Sequence, residues 1–216
     1  MHMLRPPGVY PTHGDTLLLL AALRQEGVLP GSRVLDIGTG SGALALAAAQ
    51  LGATVTAVDV SRRALGTAWV NAALHGRRIG VRAGNLLEPV RDRLFDLVVS
   101  NPPYVPCPDE RAPRGIARAW DAGPRGRALL DRLCRDVPAV LGPGGVVLLV
   151  QSSLCGIGAT CAALESAGLR ARVVLRRRQP FGPIMRKRAL WFEVQGLIRP
   201  GQREEELAVI RGERKR

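Results

Sequence analysis

The four residues Asn-Pro-Pro-Tyr at positions 101–104 combine groups that could hold a planar amino group. Pro102 and Pro103 have no backbone N–H, so local carbonyl oxygens remain as acceptors, and Asn101 adds a side-chain oxygen. Tyr104 offers a planar face. The lone pair of an amide or nucleobase nitrogen is conjugated and poorly nucleophilic. Two acceptors that grip its hydrogens would favour a tetrahedral nitrogen and release the lone pair toward a methyl group. We therefore predict N-methylation carried by Asn101, Pro102 and Tyr104.

A glycine-rich turn, Asp-Ile-Gly-Thr-Gly-Ser-Gly, occupies residues 36–42. Its glycines, Gly38 and Gly40 among them, permit a tight turn and close approach of a ligand beside a helix N-terminus. Taken alone, the turn also fits a dinucleotide-binding fingerprint, or a turn that merely needs glycine. The carboxylate of Asp36 would repel a pyrophosphate, whereas an ammonium or sulfonium group would be attracted to it.

Two further polar residues follow predicted strands. Asp59 ends the second strand, where a carboxylate can accept hydrogen bonds from both ribose hydroxyls. Its alternative role is a helix N-cap, which Ser61 could supply equally well. Asn85 follows the third strand and could face an adenine edge. A ligand with adenosine at one end and a positive charge at the other is S-adenosylmethionine, which we predict as the cofactor.

Apolar and β-branched runs alternate with longer helical patterns along the chain. We predict strands at residues 33–37, 54–60, 79–82, 94–100, 146–150, 169–175 and 189–195. We predict helices at residues 17–25, 43–51, 62–74, 126–141 and 159–167, with Asp15 or Thr16 capping the first.

This alternation predicts an α/β fold with a mostly parallel, doubly wound sheet. The wholly apolar strand at residues 146–150 fits a sheet covered on both faces. The short connection between the last two strands, about residues 176–188, predicts an antiparallel pair at one edge. We expect an N-terminal arm and helix at residues 1–30, the catalytic domain at 31–198 and a charged tail or short helix at 199–216.

Composition excludes several classes of protein. At 46% hydrophobic residues the chain can bury a core, and its longest apolar runs, residues 17–23 and 43–49, are far shorter than the roughly 18 residues of a membrane span. With no secretory signal visible, no CxxC pair and scattered histidines, we expect a cytoplasmic protein without a metal site. The net charge is +13, and most of the excess lies in the second half, which has 21 basic and 11 acidic residues. That half could dock nucleic acid or another anionic partner, or could simply be a solvated face.

The tetrapeptide, the glycine-rich turn and Asp59 together resemble the class I methyltransferases that act on amide or amino nitrogen. The similarity is most specific to the HemK/PrmC family of protein glutamine methyltransferases. Residues 9–10 and 15–16, ahead of a leucine-rich helix, resemble the short branch of that family, whose eukaryotic members modify release factor. Residues 119–132, which begin Ala-Trp-Asp-Ala-Gly-Pro, resemble the segment that follows the family's tetrapeptide.

The resemblance implies the fold of class I methyltransferases and roles for individual residues. It implies contacts to S-adenosylmethionine from Thr16, Asp36, Gly38, Asp59 and Asn85. It also implies that Asn101 holds the acceptor nitrogen. The sequence departs from the family pattern at two places. The proline after Tyr10 is shifted and an acidic residue is lost in residues 11–14, and position 85 is usually Asp.

We expect methyl transfer to the side-chain amide of a protein glutamine, with a translation release factor as the substrate. An N6-adenine methyltransferase acting on DNA or RNA has a similar tetrapeptide and would account for the positive charge. A small-molecule N-methyltransferase and an inactive cofactor-binding scaffold are further alternatives. The short branch lacks the helical N-terminal domain of the longer bacterial enzymes and works with a small zinc-binding activator subunit, so the resemblance implies that such a partner is possible here.

Overall fold

A computed structural model of the chain describes residues 3–9, 13–109, 111, 113 and 115–215. Seven strands form one sheet: β1 (Arg33–Ile37), β2 (Thr54–Asp59), β3 (Gly80–Ala83), β4 (Phe95–Ser100), β5 (Leu141–Ser152), β6 (Leu169–Pro180) and β7 (Glu204–Arg214). The helices are α1 (Gly14–Gln25), α2 (Ala43–Gln50), α3 (Arg62–Leu74), α4 (Ala128–Asp136), α5 (Ile157–Ser166) and α6 (Pro183–Val194).

The strand order is β3-β2-β1-β4-β5-β7-β6. The first five strands are parallel to one another, and β7 is antiparallel to both of its neighbours. The order reverses between β1 and β4, so the crevice of an open α/β sheet lies at their carboxyl ends. The α/β class, the doubly wound parallel sheet and an antiparallel pair at one edge are confirmed, although the partner of β6 is β7 and not the strand predicted at 189–195.

Successive residues of the central strands enter two separate buried clusters, one on each face of the sheet. In β1, Val34 belongs to the cluster with α1, α2 and α6, whereas Leu35 belongs to the cluster with α4 and α5. Strands buried on both faces need no polar alternation, which is why residues 146–150 in β5 are a continuous apolar run.

Two predictions near the C-terminus are wrong. Residues 189–195, predicted as a strand, lie mostly in α6, and residues 204–214, predicted as part of a charged tail, form β7. The run Ala-Leu-Trp-Phe-Glu-Val at residues 189–194 has β-forming residues. The buried positions of α6 as a whole, Met185, Ala189 and Phe192, follow helical spacing. The charges of β7 are compensated from distant segments. Arg211, for example, forms an ion pair at 2.8 Å with Glu26, which directly follows α1.

Two helix boundaries also differ from the prediction. Helix α1 begins at Gly14, so Asp15 and Thr16 lie in its first turn and do not cap it. The helix predicted at 126–141 spans Ala128–Asp136 and is followed by the 3-10 segment Val137–Val140, which contains Pro138. The proline breaks the helix because it lacks the N–H for the helical hydrogen bond. In the part of the chain that the structure describes, no helix has both the length and the apolar character needed to span a bilayer.

Packing between α2 and α3 leaves no room for a side chain at Gly42. Gly42 has φ +85°, and a Cβ there would lie 2.8 Å from both Cα and Cβ of Ala68. We expect Gly42→Ala to lower the free energy of unfolding by about 2 kcal/mol or more, since overpacking and a left-handed backbone are both unfavourable for alanine.

Gly66, on the exposed side of α3, provides the matched control. A Cβ at Gly66 meets nothing within 4 Å, and its φ is not positive. Gly66→Ala should therefore stabilise the protein by about 0.5–1 kcal/mol. Thermal and denaturant unfolding of both variants measures the difference, and equal stability of the two would contradict the packing described here.

Candidate active site

A cleft of about 390 Å³ opens at the carboxyl ends of β1, β2 and β4. The glycine-rich turn and the end of β2 form one part of its wall, and the residues after β3 form another. The tetrapeptide, the N-terminal arm at Gly8 and Val9, and the short helix Gly115–Ala119 complete it. The topology therefore brings the predicted segments to one place.

The glycine-rich turn presents bare backbone to the cleft. Gly38 and Gly40 have φ angles of +70° and +54°, which residues with a side chain rarely adopt. The backbone N–H of Gly38 donates to the carbonyl of Val58 at 2.8 Å, which fixes the turn against β2. A Cβ on Gly40 would meet no protein atom within 4 Å, so this glycine leaves open space where a ligand can approach.

Asp59 lies at the end of β2 and lines the cleft. Its two carboxylate oxygens accept hydrogen bonds from the backbone N–H of Gly40 at 3.0 Å and of Ser61 at 2.8 Å. Ser61 is the N-cap of α3 and accepts from the N–H of Ala64 at 3.2 Å, so the carboxylate of Asp59 is not needed as the cap. Burial raises the pKa of Asp59, and the backbone hydrogen bonds oppose that rise.

Asp36 lies beneath the glycine-rich turn and is not among the residues that line the cleft. One carboxylate oxygen accepts from Thr39 Oγ1 at 2.6 Å and from the N–H of Ala45 at 3.0 Å. The other oxygen is fully buried and has no hydrogen-bond partner among the described residues. Burial raises the pKa of Asp36 to about 7, and the nearby charge of Asp59 adds to the rise. Asp36 therefore acts on a ligand indirectly, by fixing the glycine-rich turn and by its charge when it is ionised.

Asn85 lines the cleft after β3, as predicted, but its amide has protein neighbours. When its oxygen is turned toward α4, that oxygen accepts hydrogen bonds from Arg132 Nη1 at 3.3 Å and Nη2 at 3.1 Å. In the other orientation its Nδ2 donates to Glu88 Oε1 at 3.5 Å. Leu86, beside it, has φ +52°, a strained conformation for a residue other than glycine.

Asn101 lines the cleft at the end of β4, and its amide has a defined orientation. Its Nδ2 donates to Thr16 Oγ1, in the first turn of α1, at 3.1 Å. Because the amide nitrogen is held by Thr16, the Oδ1 atom is left as an acceptor for a ligand. Pro102 and Pro103 also line the cleft. This brings together Thr16, Asn101 and Pro102 of the predicted set.

Tyr104, for which we predict a planar face in the acceptor site, is not among the residues that line the cleft. The side chain is 7% exposed and lies in the core, where its hydroxyl donates to Asp15 Oδ2 at 3.0 Å. Asp15 also accepts from the N–H of Thr16 at 2.6 Å. A buried carboxylate requires such donors, and the bond fixes the tetrapeptide against α1. Tyr104 is therefore a positioning residue.

The segment after the tetrapeptide packs against it from the other side. The N–H of Val105 donates to the carbonyl of Trp120 at 2.7 Å. Cys155 Sγ donates to the carbonyl of Tyr104 at 2.8 Å. A Cβ on Gly126 would lie 2.3 Å from that same carbonyl oxygen, so only glycine fits there.

Sequence reasoning missed several residues near the site. Glu205 of β7 is 4% exposed and accepts from Gln179 Nε2 at 3.0 Å. Burial raises its pKa. Arg118 lines the cleft, and its Nε donates to the carbonyl of Pro113 at 3.1 Å. Glu205 was not singled out because it lies in the segment predicted as a tail, and nothing in the sequence distinguishes Arg118 from the other 28 arginines. Tyr10, Pro11 and Thr12 lie outside the described residues.

The chain was compared with known proteins. Residues 2–112 match the family model described as the methyltransferase small domain. The chain is 35% identical over 181 residues to a Methanocaldococcus jannaschii protein named for protein N5-glutamine methyltransferase activity, covering 83% of this chain and 90% of the relative. It is 36% identical over 155 residues to the release factor glutamine methyltransferase of Geobacter sulfurreducens, covering 68% of this chain but only 54% of that longer relative.

A solved structure has a similar fold. A chain in the E. cuniculi Mtq2–Trm112 complex, described as responsible for methylation of the eRF1 termination factor, superposes with a TM-score of 0.67. The match covers 96% of this chain and 99% of that chain, at 24% sequence identity. At this identity the similarity concerns the fold.

Because the pKa of Asp36 is raised in the folded protein, we expect stability to depend on pH. The pKa of Asp36 is near 4 in the unfolded chain and about 7 in the folded protein. At pH values between these two, the folded state binds more protons than the unfolded chain, so stability falls as pH rises. Relative to Asp36→Asn, wild type without ligand should lose about 2 kcal/mol between about pH 5 and pH 7, and no more above about pH 8. Denaturant unfolding at several pH values measures this difference, and a difference that does not vary with pH would refute it.

Proposed function

The chain belongs to the methyltransferase small domain family, and we propose that this S-adenosylmethionine-dependent enzyme methylates the side-chain amide nitrogen of a glutamine in a protein, with a translation release factor as its substrate. The observation that carries this proposal is the orientation of Asn101. Thr16 holds the amide nitrogen of Asn101, so its oxygen is presented to the cleft as an acceptor for an –NH₂ group.

The residues of the cleft fit the cofactor. S-adenosylmethionine, when bound, supplies an electrophilic methyl group next to a positively charged sulfur. The bare backbone at Gly38 and Gly40 gives the close approach that such a ligand requires. Asp59 supplies acceptor oxygens for ribose hydroxyls, and Asn85 lies where an adenine edge can be read. Asp36 places a second carboxyl group below the turn, and its unpaired buried oxygen would be stabilised by a nearby cation.

Asn101 does its chemistry as an acceptor and not as a base. One hydrogen of the glutamine amide is held by Asn101 Oδ1, and the proline at position 102 leaves backbone carbonyls to hold the other. As the nitrogen rehybridises and gains positive charge, these hydrogen bonds strengthen, so they stabilise the transition state more than the ground state. The nitrogen then loses one proton. A quaternised amide nitrogen is acidic enough for water to accept that proton, and no histidine lines the described part of the cleft.

We also propose a small activator subunit as a partner. The proposal is supported by the similar fold of a chain that is described in complex with Trm112. Co-expression with such a subunit, followed by size-exclusion chromatography of the two proteins, tests whether they bind each other.

We expect Asp59→Ala to weaken S-adenosylmethionine binding about 10- to 100-fold, because a charge-assisted hydrogen bond of roughly 1.5–3 kcal/mol is lost. Calorimetry measures the change directly. Asp92→Ala, at an exposed residue before β4, is the control and should bind as wild type does. Tight binding of NAD by wild type would instead show that the cleft is a dinucleotide site.

We expect Asn101→Ala to reduce turnover of the release factor by about 10²–10³ or more, because a preorganised transition-state hydrogen bond is lost. S-adenosylmethionine affinity should fall only slightly. Asn101→Asp distinguishes an amide acceptor from an amine acceptor. Adenine methyltransferases with Asp at this position exist, and a carboxylate suits an amine acceptor better than it suits an amide. For a glutamine substrate both variants should be nearly inactive.

The assay uses labelled S-adenosylmethionine with purified release factor, and with DNA and RNA as parallel substrates. Label in the protein that is retained after nuclease treatment supports glutamine methylation. Label only in nucleic acid, or an active Asn101→Asp variant, would support the adenine alternative.

A further inference from the structure

Helix α6 connects two antiparallel strands that a short turn could join, and it lies beside the acceptor side of the cleft. Its buried side chains, Met185, Ala189 and Phe192, belong to the same core cluster as Tyr104. Arg188 Nη1 donates to the carbonyl of Pro106 at 3.0 Å and to Asp121 at 2.5 Å. The helix is therefore fixed to the segment that follows the tetrapeptide.

The outward face of α6 is one basic and apolar surface, which we call the α6 stripe: Arg186, Lys187, Leu190 and Val194. Helical spacing of three and four residues places these side chains on one side. Leu190 is 72% exposed and Val194 is 81% exposed, although most large apolar side chains of the protein are buried. Two adjacent aliphatic residues exposed to this degree gain from being covered by another molecule.

The positive charges at this edge of the molecule are incompletely neutralised. Among the described residues, no acidic side chain forms an ion pair with Arg186 or Lys187, nor with Arg177 or Arg178 at the end of β6. By contrast, Arg188 is engaged by Asp121. Since β6 ends only a few residues before α6 begins, these free cations lie at the same end of the sheet as the cleft.

We propose that the α6 stripe docks an acidic surface of the folded protein that carries the target glutamine. The proposal rests on the proposed function, because a glutamine that reaches Asn101 brings the surrounding protein surface against the neighbouring loop and α6. The aliphatic half of the stripe matches the apolar centre of a protein interface, and the basic half matches an acidic rim. Nucleic acid is the less suitable partner, because the stripe has no aromatic side chain on which bases could stack.

Two double variants test the apolar and basic halves separately: Leu190→Ser with Val194→Ser, and Arg186→Glu with Lys187→Glu. Their matched controls lie before the central strands β1 and β4, at the end of the sheet opposite the cleft. Leu29→Ser changes a leucine that is 69% exposed, and Arg91→Glu with Arg93→Glu reverses two exposed charges before β4. All variants change exposed side chains, and thermal unfolding verifies that each is folded.

Steady-state kinetics with intact, nuclease-treated release factor should show KM raised about tenfold by each stripe variant. The value of kcat at saturating release factor should stay within about twofold, and S-adenosylmethionine affinity should be unchanged. Added salt should raise KM for wild type and less steeply for the charge-reversal variant, because the attraction is screened. The controls should behave as wild type does.

Other outcomes overturn the proposal in distinguishable ways. If wild type methylates the release factor and the stripe variants have unchanged KM, the docking surface lies elsewhere while the proposed function stands. If the stripe variants lose affinity for RNA but not for nuclease-treated release factor, the partner of the stripe is nucleic acid. If wild type does not methylate the release factor at all, the proposed function itself is wrong.

Discussion

Two hydrogen bonds that the tetrapeptide donates to the first turn of α1 hold in place the part of the cleft where we propose that methyl transfer occurs. Thr16 Oγ1 accepts a hydrogen bond from Asn101 Nδ2, and Asp15 Oδ2 accepts one from the Tyr104 hydroxyl. The partners are 85 and 89 residues apart in the sequence. Asp15 is 2% exposed, so leaving its carboxylate without donors would strongly destabilise the fold. The orientation of the acceptor oxygen of Asn101 therefore exists only after α1 has packed on the sheet. Folding and catalytic geometry depend on the same contact.

The central sheet could be predicted from the sequence because its strands are short apolar runs bounded by glycine and proline. β1, β2, β4 and β5 were recognised for that reason. The last two elements could not be predicted in the same way. The apolar residues of β7 are surrounded by charges whose partners, such as Glu26 for Arg211, come from distant parts of the chain. Helix α6 has strand-forming residues, and only its packing into the core decides that it is helical.

The residues of the site were predicted better than their roles. Asp59 and Asn101 lie in the cleft because the carboxyl ends of parallel strands meet at one edge, which follows from topology alone. Local sequence does not reveal burial, however. Asp36 has no place in the cleft wall because the turn folds over it, and Tyr104 points into the core because Asp15 needs its hydroxyl. Tertiary hydrogen bonds decided both cases.

The protein has a net charge of +13, yet acidic groups lie at the floor of its cleft while basic groups lie at the edge of the sheet. The two regions therefore suit ligands of opposite charge. At long range this charge opposes the approach of a cationic sulfur, but salt screens exposed charges beyond about 8 Å. At the cleft, the half-buried carboxyl group of Asp59 and the buried one of Asp36 beneath the glycine-rich turn act with little screening. Burial raises the pKa of Asp36 and of Asp59, and a cation that binds nearby lowers both pKa values again. Ionisation of these two carboxyl groups and binding of the positively charged cofactor therefore favour each other. The basic edge remains in solvent, and in the docking that we propose it would act on the encounter with a macromolecule and not on the cofactor. If the α6 stripe docks the substrate as we propose, cofactor affinity and substrate docking depend on separate charges, and each can change without the other.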